Sequence, residues 1–472
     1  MIAAVMGFWA VVLVIIAVCW PKHLVHAAIF CSVFEGAAII NTGGLGISPY
    51  YFTLMLIAAH CVFVRVTAAY FLGGSMDVRR IMGCAIVLLM LGLGSAVVMP
   101  RVFAGMPVLS PRLSADAQAP LEFSTSNIGQ AVYLLLNVLM LWYTAQTCRT
   151  PTAARGMLKA FSIAGIVVVG LAGYQLVSSL TGLPFPDDLL YSNDGYVMQH
   201  GTAILDMPRI CSTFTEPSSL AVFLISFIAF LIGAMETGFG GWQIIVVLLA
   251  SIAALVLSTS STAYIGLAAI TAWGIWRYIF LPVLKGRGSF KAALVMTLLI
   301  GGTVSAFVVN DQLREVIQKT VFEKDESASY EERSQADSYS MQVARQTWGL
   351  GAGLGSNRAS SFLPSVLSTL GIGGAAILAL LIALLVRSNG IGDWAQHLHR
   401  PLAAALIAVV GAKMISSPDL ATPSMWALMA GLISVRAMVQ QQPQMPAVTA
   451  APDLQGRVSD IQPAKKPVLS MG

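Results

Sequence analysis

Apolar runs long enough to cross a bilayer recur along almost the whole chain, and nothing else in it restricts the fold so severely. A helical span needs roughly 20 predominantly apolar residues. Segments such as 80–99, 156–181, 216–235 and 362–386 meet that length. Composition agrees: 57% of the 472 residues are hydrophobic and 10% are charged, against about 25% charged in a soluble globular domain. No soluble fold of this length hides so much apolar surface, whereas a bilayer supplies an apolar solvent for it.

The pattern predicts an all-α polytopic membrane protein of about 12–13 transmembrane helices. Spans are expected near 2–20, 23–41, 50–72, 81–99, 127–147, 157–181, 217–235, 242–258, 262–281, 292–309, 362–386, 401–416 and 421–438. The first run has neither a basic leader nor a small-residue cleavage site, which reads as a retained helix. Residues 1–438 then form one transmembrane domain. The Pro-, Gln- and Ala-rich stretch 439–472 lacks apolar periodicity and reads as a disordered cytoplasmic tail.

Orientation follows from the basic residues of the short loops. Arg79 and Arg80, then Arg149, Arg155 and Lys159, then Arg277, Lys285, Arg287 and Lys291, and finally Arg387 and Arg400 fall on one face if the spans alternate. That face is the cytoplasmic one. The loops 100–126, 182–216 and 310–361 then lie outside. The formal charge of +5 is accounted for by this topology and calls for no nucleic-acid partner. Cys19, Cys31, Cys61, Cys84, Cys148 and Cys211 show no metal-ligand spacing, and neither do the six histidines; no metal and no cofactor is expected.

The chemistry-bearing residues concentrate in the outside loops. In the third, Arg333, Asp337, Met341 and Arg345 follow one another at i, i+4 spacing, down one side of a helix. Planar guanidinium forks are suited to phosphate oxygens; a solvated, internally paired face is the plainer reading. The run Gly349-Leu-Gly-Ala-Gly-Leu-Gly-Ser-Asn-Arg358 follows. It is no P-loop, since no Lys-Ser/Thr ends it. It is either a cradle of backbone N–H groups for an anion or a tight turn into the next span. The second loop ends in Arg209 and then Thr215-Glu216-Pro217, a helix-start signal. There Glu216 is either a plain cap or a carboxylate held beside a cation. Within the expected spans Glu35 and Arg65 suit a structural ion pair, and Lys413 near Asp419 suits either a pair or a lipid phosphate.

Three ordered pieces carry a resemblance. They are Arg209 with Ser212-Thr-Phe-Thr-Glu-Pro-Ser-Ser-Leu-Ala-Val-Phe223, the Ser-rich break Leu257-Ser-Thr-Ser-Ser-Thr-Ala-Tyr-Ile-Gly266, and the loop with Arg333 that closes in Gly351-Ala-Gly-Leu-Gly-Ser-Asn-Arg-Ala-Ser-Ser361. In this order, over residues 100–385, they resemble the O-antigen polymerase and ligase superfamily, in particular exopolysaccharide polymerases of the Wzy type. Pro120-Leu-Glu-Phe and Asn127-Ile-Gly-Gln130 fit the exopolysaccharide branch. Thr262 stands where many members carry Arg, so no anion role passes to it. Trp348-Gly349 replaces a frequent Pro before the glycine run.

The resemblance implies a GT-C-like membrane glycosyltransferase of the bacterial inner membrane, with its active site facing the periplasm and independent of metal. Its substrates would be oligosaccharide repeats on undecaprenyl pyrophosphate, within the membrane lipid, with a chain-length regulator and an export complex as further partners. On this reading Arg209 and Arg333 hold pyrophosphate and Glu216 is base or orienter. Arg345, Arg358 and Lys413 are further candidates for pyrophosphate or glycan. Two other readings are a ligase moving finished glycan to another acceptor and a transporter or flippase using Glu35, Arg65 and Lys413; a scaffold subunit of an envelope complex is the third. Family ligases use a histidine in the large outer loop, and residues 310–361 contain none.

Overall fold

The computed structural model describes residues 7–41, 46–63, 76–110, 117–199, 201–204, 207–280, 301 and 328–440. The expected span at 292–309, Arg65 and the tail beyond residue 440 lie outside them. The described chain is mostly helical. In order it forms α1 (Gly7–Cys19), α2 (Leu24–Cys31), α3 (Pro49–Phe63), α4 (Met76–Val102), α5 (Thr125–Thr147), α6 (Pro151–Thr181) and the single turn α7 (Asp187–Leu190). Then come α8 (Pro217–Glu236), α9 (Trp242–Leu257), α10 (Ser261–Ile275), α11 (Ala328–Gln346), α12 (Phe362–Val386), α13 (Asp393–Lys413) and α14 (Pro423–Val439). Three two-stranded antiparallel pairs lie between helices: β1 (Ile40–Asn41) with β2 (Gly46–Ile47), β3 (Pro107–Leu109) with β4 (Gln118–Pro120), and β5 (Ala203–Ile204) with β6 (Met207–Pro208).

Five of these helices, α4, α5, α6, α8 and α12, are long and apolar enough to cross a membrane, which makes the chain a multi-pass membrane protein. Among the described residues this falls short of the dozen spans expected. The helices α3, α9 and α14 are apolar but have 15, 16 and 17 residues. The helix α13 opens with Asp393, His397, His399 and Arg400 within its first eight residues. The second expected span, 23–41, does not form. Helix α2 stops at Cys31 and is bent 120° from α1. The chain after it is tied to the stretch between α7 and α8 instead: Gly36 N donates to Thr213 O (3.0 Å), Asn193 N to Gly36 O (3.0 Å) and Ala38 N to Ser192 Oγ (3.1 Å). Those bonds take backbone groups that a continuous helix would have used internally.

The helices sort by what surrounds them. Residues 423–438 of α14 are all buried, as is most of α8, so these two are the centre of the bundle. Helix α13 lies along α8, where Gly233 leaves no room for a side chain: an added Cβ would stand 2.9 Å from the Pro401 backbone. Small residues at such crossings let backbones approach in lipid. By contrast α4 exposes Val87, Met90, Leu91, Val97 and Val98, and α6 exposes Ile163 and Ile166. Such faces would promote association in water; in lipid they are already in an apolar solvent.

One end of the bundle is closed by charge. Asp77 at the start of α4 accepts from Arg387 just past α12 (2.6 Å) and faces Arg436 of α14 (3.8 Å). The end of α4 and the starts of α5, α8, α12 and α14 lie at the other end, and there the longer loops gather. Strand β3 joins them: Leu109 O accepts from Arg358 N (2.8 Å), and Tyr339 of α11 donates to Pro107 O (3.0 Å). Val108, Leu121, Val343 and Ala352 form a small apolar core of their own beneath this cap.

Candidate functional site

The segment 209–216 is held on α6 by one side chain. Gln175 Oε1 accepts from both Cys211 N (3.0 Å) and Ser212 N (2.8 Å), while Ser212 Oγ donates to Val168 O (2.8 Å). Ser212 adopts φ 55°, a left-handed conformation that costs a non-glycine residue energy and persists where surrounding bonds enforce it. The turn delivers Glu216 to the N-cap position of α8, with Pro217 as the first helical residue. Its side chain makes no capping bond to the backbone. It accepts from Ser218 Oγ instead and lines a cleft.

That cleft, of about 230 Å³, is the junction of three loops. Glu216 and Gln199 come from the stretch between α7 and α8, Glu332 and Arg333 from α11, and Arg358 from the close of the loop before α12. Ser416, Ser417 and Pro418, between α13 and α14, complete it. Arg333 and Arg358 thus share one small space with Glu216. Among the described residues neither guanidinium has a hydrogen bond or an ion pair. Arg209 stands behind, within electrostatic reach of both Glu216 and Arg333, with its buried Nε unpartnered among the described residues. Burial pulls its guanidinium down, with Cys211 and Glu216 opposing; an Arg stays protonated through such a shift.

Arg345 does not join them. It is exposed, three turns beyond Arg333 on α11, about 18 Å along the axis and a third of a turn round. Asp337 between them is occupied structurally: its carboxylate accepts from Ser360 N (2.7 Å), Ser361 N (2.9 Å) and Ser361 Oγ (2.6 Å), fastening α11 to the start of α12. Lys413 is fully buried and lines neither this cleft nor the one beside it. Its Nζ donates to Ser417 O (3.1 Å), Ser417 Oγ (3.1 Å), Asp419 O (2.8 Å) and Thr422 Oγ1, and sits 4.9 Å from the Phe362 ring. It therefore holds the 414–422 turn, including Ser417 at φ 76°, which walls the cleft.

From Gly349 to Leu354 the glycine run is a turn. Every amide from Gly349 to Leu354 donates to the protein itself: to Ala344 O, Thr347 O, Thr347 Oγ1, Ser368 O, Thr369 O and Ser95 Oγ in order. Helix α12 supplies two of these acceptors because it breaks at Gly371 (φ 71°), which releases the Ser368 and Thr369 carbonyls from their helical partners. Gly351 (φ 82°) packs 2.7 Å, at the position of an added Cβ, from the Thr369 carbonyl. The glycines are there for close backbone packing.

Residue-level reading missed Gln199, Glu332 and the Ser416-Ser417-Pro418 wall. The last had a signal, a short polar run between two apolar segments on the same face as the loops; Gln199 had none. Glu35 stands outside a membrane span, since the one expected around it does not form, and its expected partner Arg65 lies outside the described residues. It is half-buried after α2 and lies within electrostatic reach of Asp419, Glu216 and Lys413, so the structure gives it neighbours at the site. No family model, no curated protein and no solved structure matches this chain. Among the described residues no group of three or more His, Cys, Asp or Glu is arranged to hold a metal ion.

Glu35 yields a measurable pH dependence. Withdrawal from water, then repulsion from Asp419 and Glu216, push its carboxyl up to about 7 from 4.5, with Lys413 opposing. Between these values the folded protein holds a proton that the unfolded chain has released, so this contribution to stability is full below about pH 4.5 and is lost as pH rises through about 7. Glu35→Gln is expected to flatten the fall in thermal midpoint between about pH 4.5 and 7. An unchanged slope in the variant would show that Glu35 does not titrate there.

Proposed function

We propose that this protein joins oligosaccharide repeats carried on undecaprenyl pyrophosphate into a longer polysaccharide, as a GT-C-like polymerase of the bacterial inner membrane with its cleft facing the periplasm. The observation that carries the reading is the meeting of Glu216 with Arg333 and Arg358 in one cleft at the loop end of an apolar bundle. A lipid-borne diphosphate presents its charge at such a membrane boundary. Cations placed beforehand where charge develops stabilise a transition state most, and a carboxylate within reach of a hydroxyl can take its proton.

The proposed step uses these positions. An acceptor sugar hydroxyl attacks the anomeric carbon of the donor; its new C–O bond forms as the bond to the lipid pyrophosphate breaks. The bonding pair leaves with pyrophosphate, whose added charge Arg333 and Arg358 meet, with Arg209 behind them. The hydroxyl proton passes to the Glu216 carboxylate. The ligase reading draws no support from the described residues of the lining, among which there is no histidine.

The test is polymerisation by purified protein in detergent or vesicles, supplied with lipid-linked repeats and sized on gels. Polymer ladders without an ion gradient are expected. Unchanged repeats that instead move across vesicles under a gradient would replace this reading with a transporter. Within the assay, Arg333→Ala is expected to lower the rate about 10²–10³-fold, as loss of one preorganised charge does, and exposed Arg345→Ala much less. Equal losses from the two would remove Arg333 from the anion site.

A further inference from the structure

A second cleft of about 150 Å³ adjoins the first, and Arg358, Ala359 and Pro418 form the partition between them. It opens between the starts of α5 and α12. We propose that this second cleft is a subsite for a single sugar ring, on the far side of Arg358 from the anion-binding cleft. The proposal rests on the polymerase reading for why a sugar is presented there, but the cleft's own chemistry selects the ligand class.

Its side chains divide into those that build the wall and those left over. Asn127 Nδ2 donates to Leu354 O and Ser356 Oγ (both 2.7 Å). Asn357 accepts from Leu109 N (3.1 Å) and donates to Ser340 Oγ (2.9 Å) and Ser368 Oγ (3.0 Å). The N–H donors of both amides are engaged, so they fix the wall and have no donor left for a ligand. Ser126, Gln130 and Ser365 also line the space, and among the described residues none of their side chains makes a hydrogen bond. Two hydroxyls and a carboxamide are therefore available on a rigid frame.

The remaining lining distinguishes a sugar from an anion. Asp419 Oδ1 accepts from Ala421 N (2.9 Å), and its other oxygen has no such bond among the described residues. A carboxylate repels phosphate and accepts from hydroxyl groups. Val366 and Leu420 add an apolar patch, which phosphate does not use and the C–H face of a pyranose does. Pockets for drug-sized ligands are about 300–1,000 Å³; half the lower figure suits one ring. A sugar whose pyrophosphate rests on Arg333 and Arg358 would reach this cleft across the shared guanidinium.

Saturation-transfer NMR on the full-length protein in detergent tests the subsite directly, with free glucose, galactose, mannose and N-acetylglucosamine as probes and inorganic pyrophosphate measured in parallel. At least one hexose is expected to bind the wild type. Gln130→Ala with Ser365→Ala should weaken that binding about tenfold or more, with pyrophosphate binding unchanged. Arg333→Ala should do the reverse. The subsite is overturned if no hexose binds, if the double variant binds as the wild type does, or if inorganic phosphate displaces the hexose. If hexose binds and pyrophosphate does not, the subsite stands and the polymerase reading falls. Should the double variant fail to fold, Ser126→Ala is read in its place, its thermal midpoint serving as the check.

Discussion

Replacing Glu216 by glutamine is expected to slow polymer formation about 10²–10⁴-fold, the usual contribution of a positioned base, while the protein stays folded. Glutamine still accepts from Ser218 Oγ, and the native carboxylate makes no capping bond to the α8 backbone, so the helix start loses little. Pro217 at the first helical position continues to favour the helix. Initial rates with lipid-linked repeats, taken beside the thermal midpoint, separate the two roles of this residue. A cap would leave Glu216→Gln nearly silent in rate and would make Glu216→Ala lower midpoint and rate together. That pattern would end the base assignment.

The second large effect concerns stability. Lys413→Met keeps the side-chain volume but removes the ammonium around which Ser417, Asp419 and Thr422 are arranged. Two backbone carbonyls and two hydroxyls lose a charged donor, and each buried group left unsatisfied costs about 1–3 kcal/mol. Removal of a buried charge offsets part of this, leaving a loss on the order of 2–4 kcal/mol. The midpoint of thermal unfolding should fall, with polymerisation falling in step as the Ser416–Pro418 wall loosens. If instead the midpoint holds while affinity for inorganic pyrophosphate drops, Lys413 is a ligand to the anion and not the clasp of the turn.

How much of this was legible in the chain varied with the range of the forces involved. The long helices α4, α5, α6, α8 and α12 follow from local hydrophobicity and length, so their expected spans agree within a few residues. The start of α8 was equally local, written in Thr215-Glu216-Pro217. Residues 23–41 are apolar enough on average to suggest a span, yet Gly36 and Ala38 bond to residues about 150–180 positions away, and no window sees that. The glycine run carried two local readings of similar weight. Over Gly349–Leu354 the break at Gly371, which frees two carbonyls for the amides there, decides for the turn.

The same distinction holds for the charged residues. Arg333 and Arg345 are equivalent in spacing arguments, since both fit an i, i+4 ladder on α11. Their separation along the axis puts just one of them in a cleft of this size. Glu35 stands in the field of Glu216, Asp419 and Lys413, which come from distant parts of the chain and which no local argument reaches; Arg65, its expected partner, lies outside the described residues.

From its amino acids alone this chain is committed to a membrane, to long apolar helices and to a concentration of arginine and carboxylate in the loops on one face. Those properties need only the transfer free energy of side chains and the charge bias of short loops, both summed locally. Which arginines face Glu216, which lysine is sealed into a turn and where a neutral polar cleft is left open were decided by tertiary structure. The loops that build the cleft are drawn from residues 199–216, 332–360 and 416–418, and their positions are set by the helix ends that carry them.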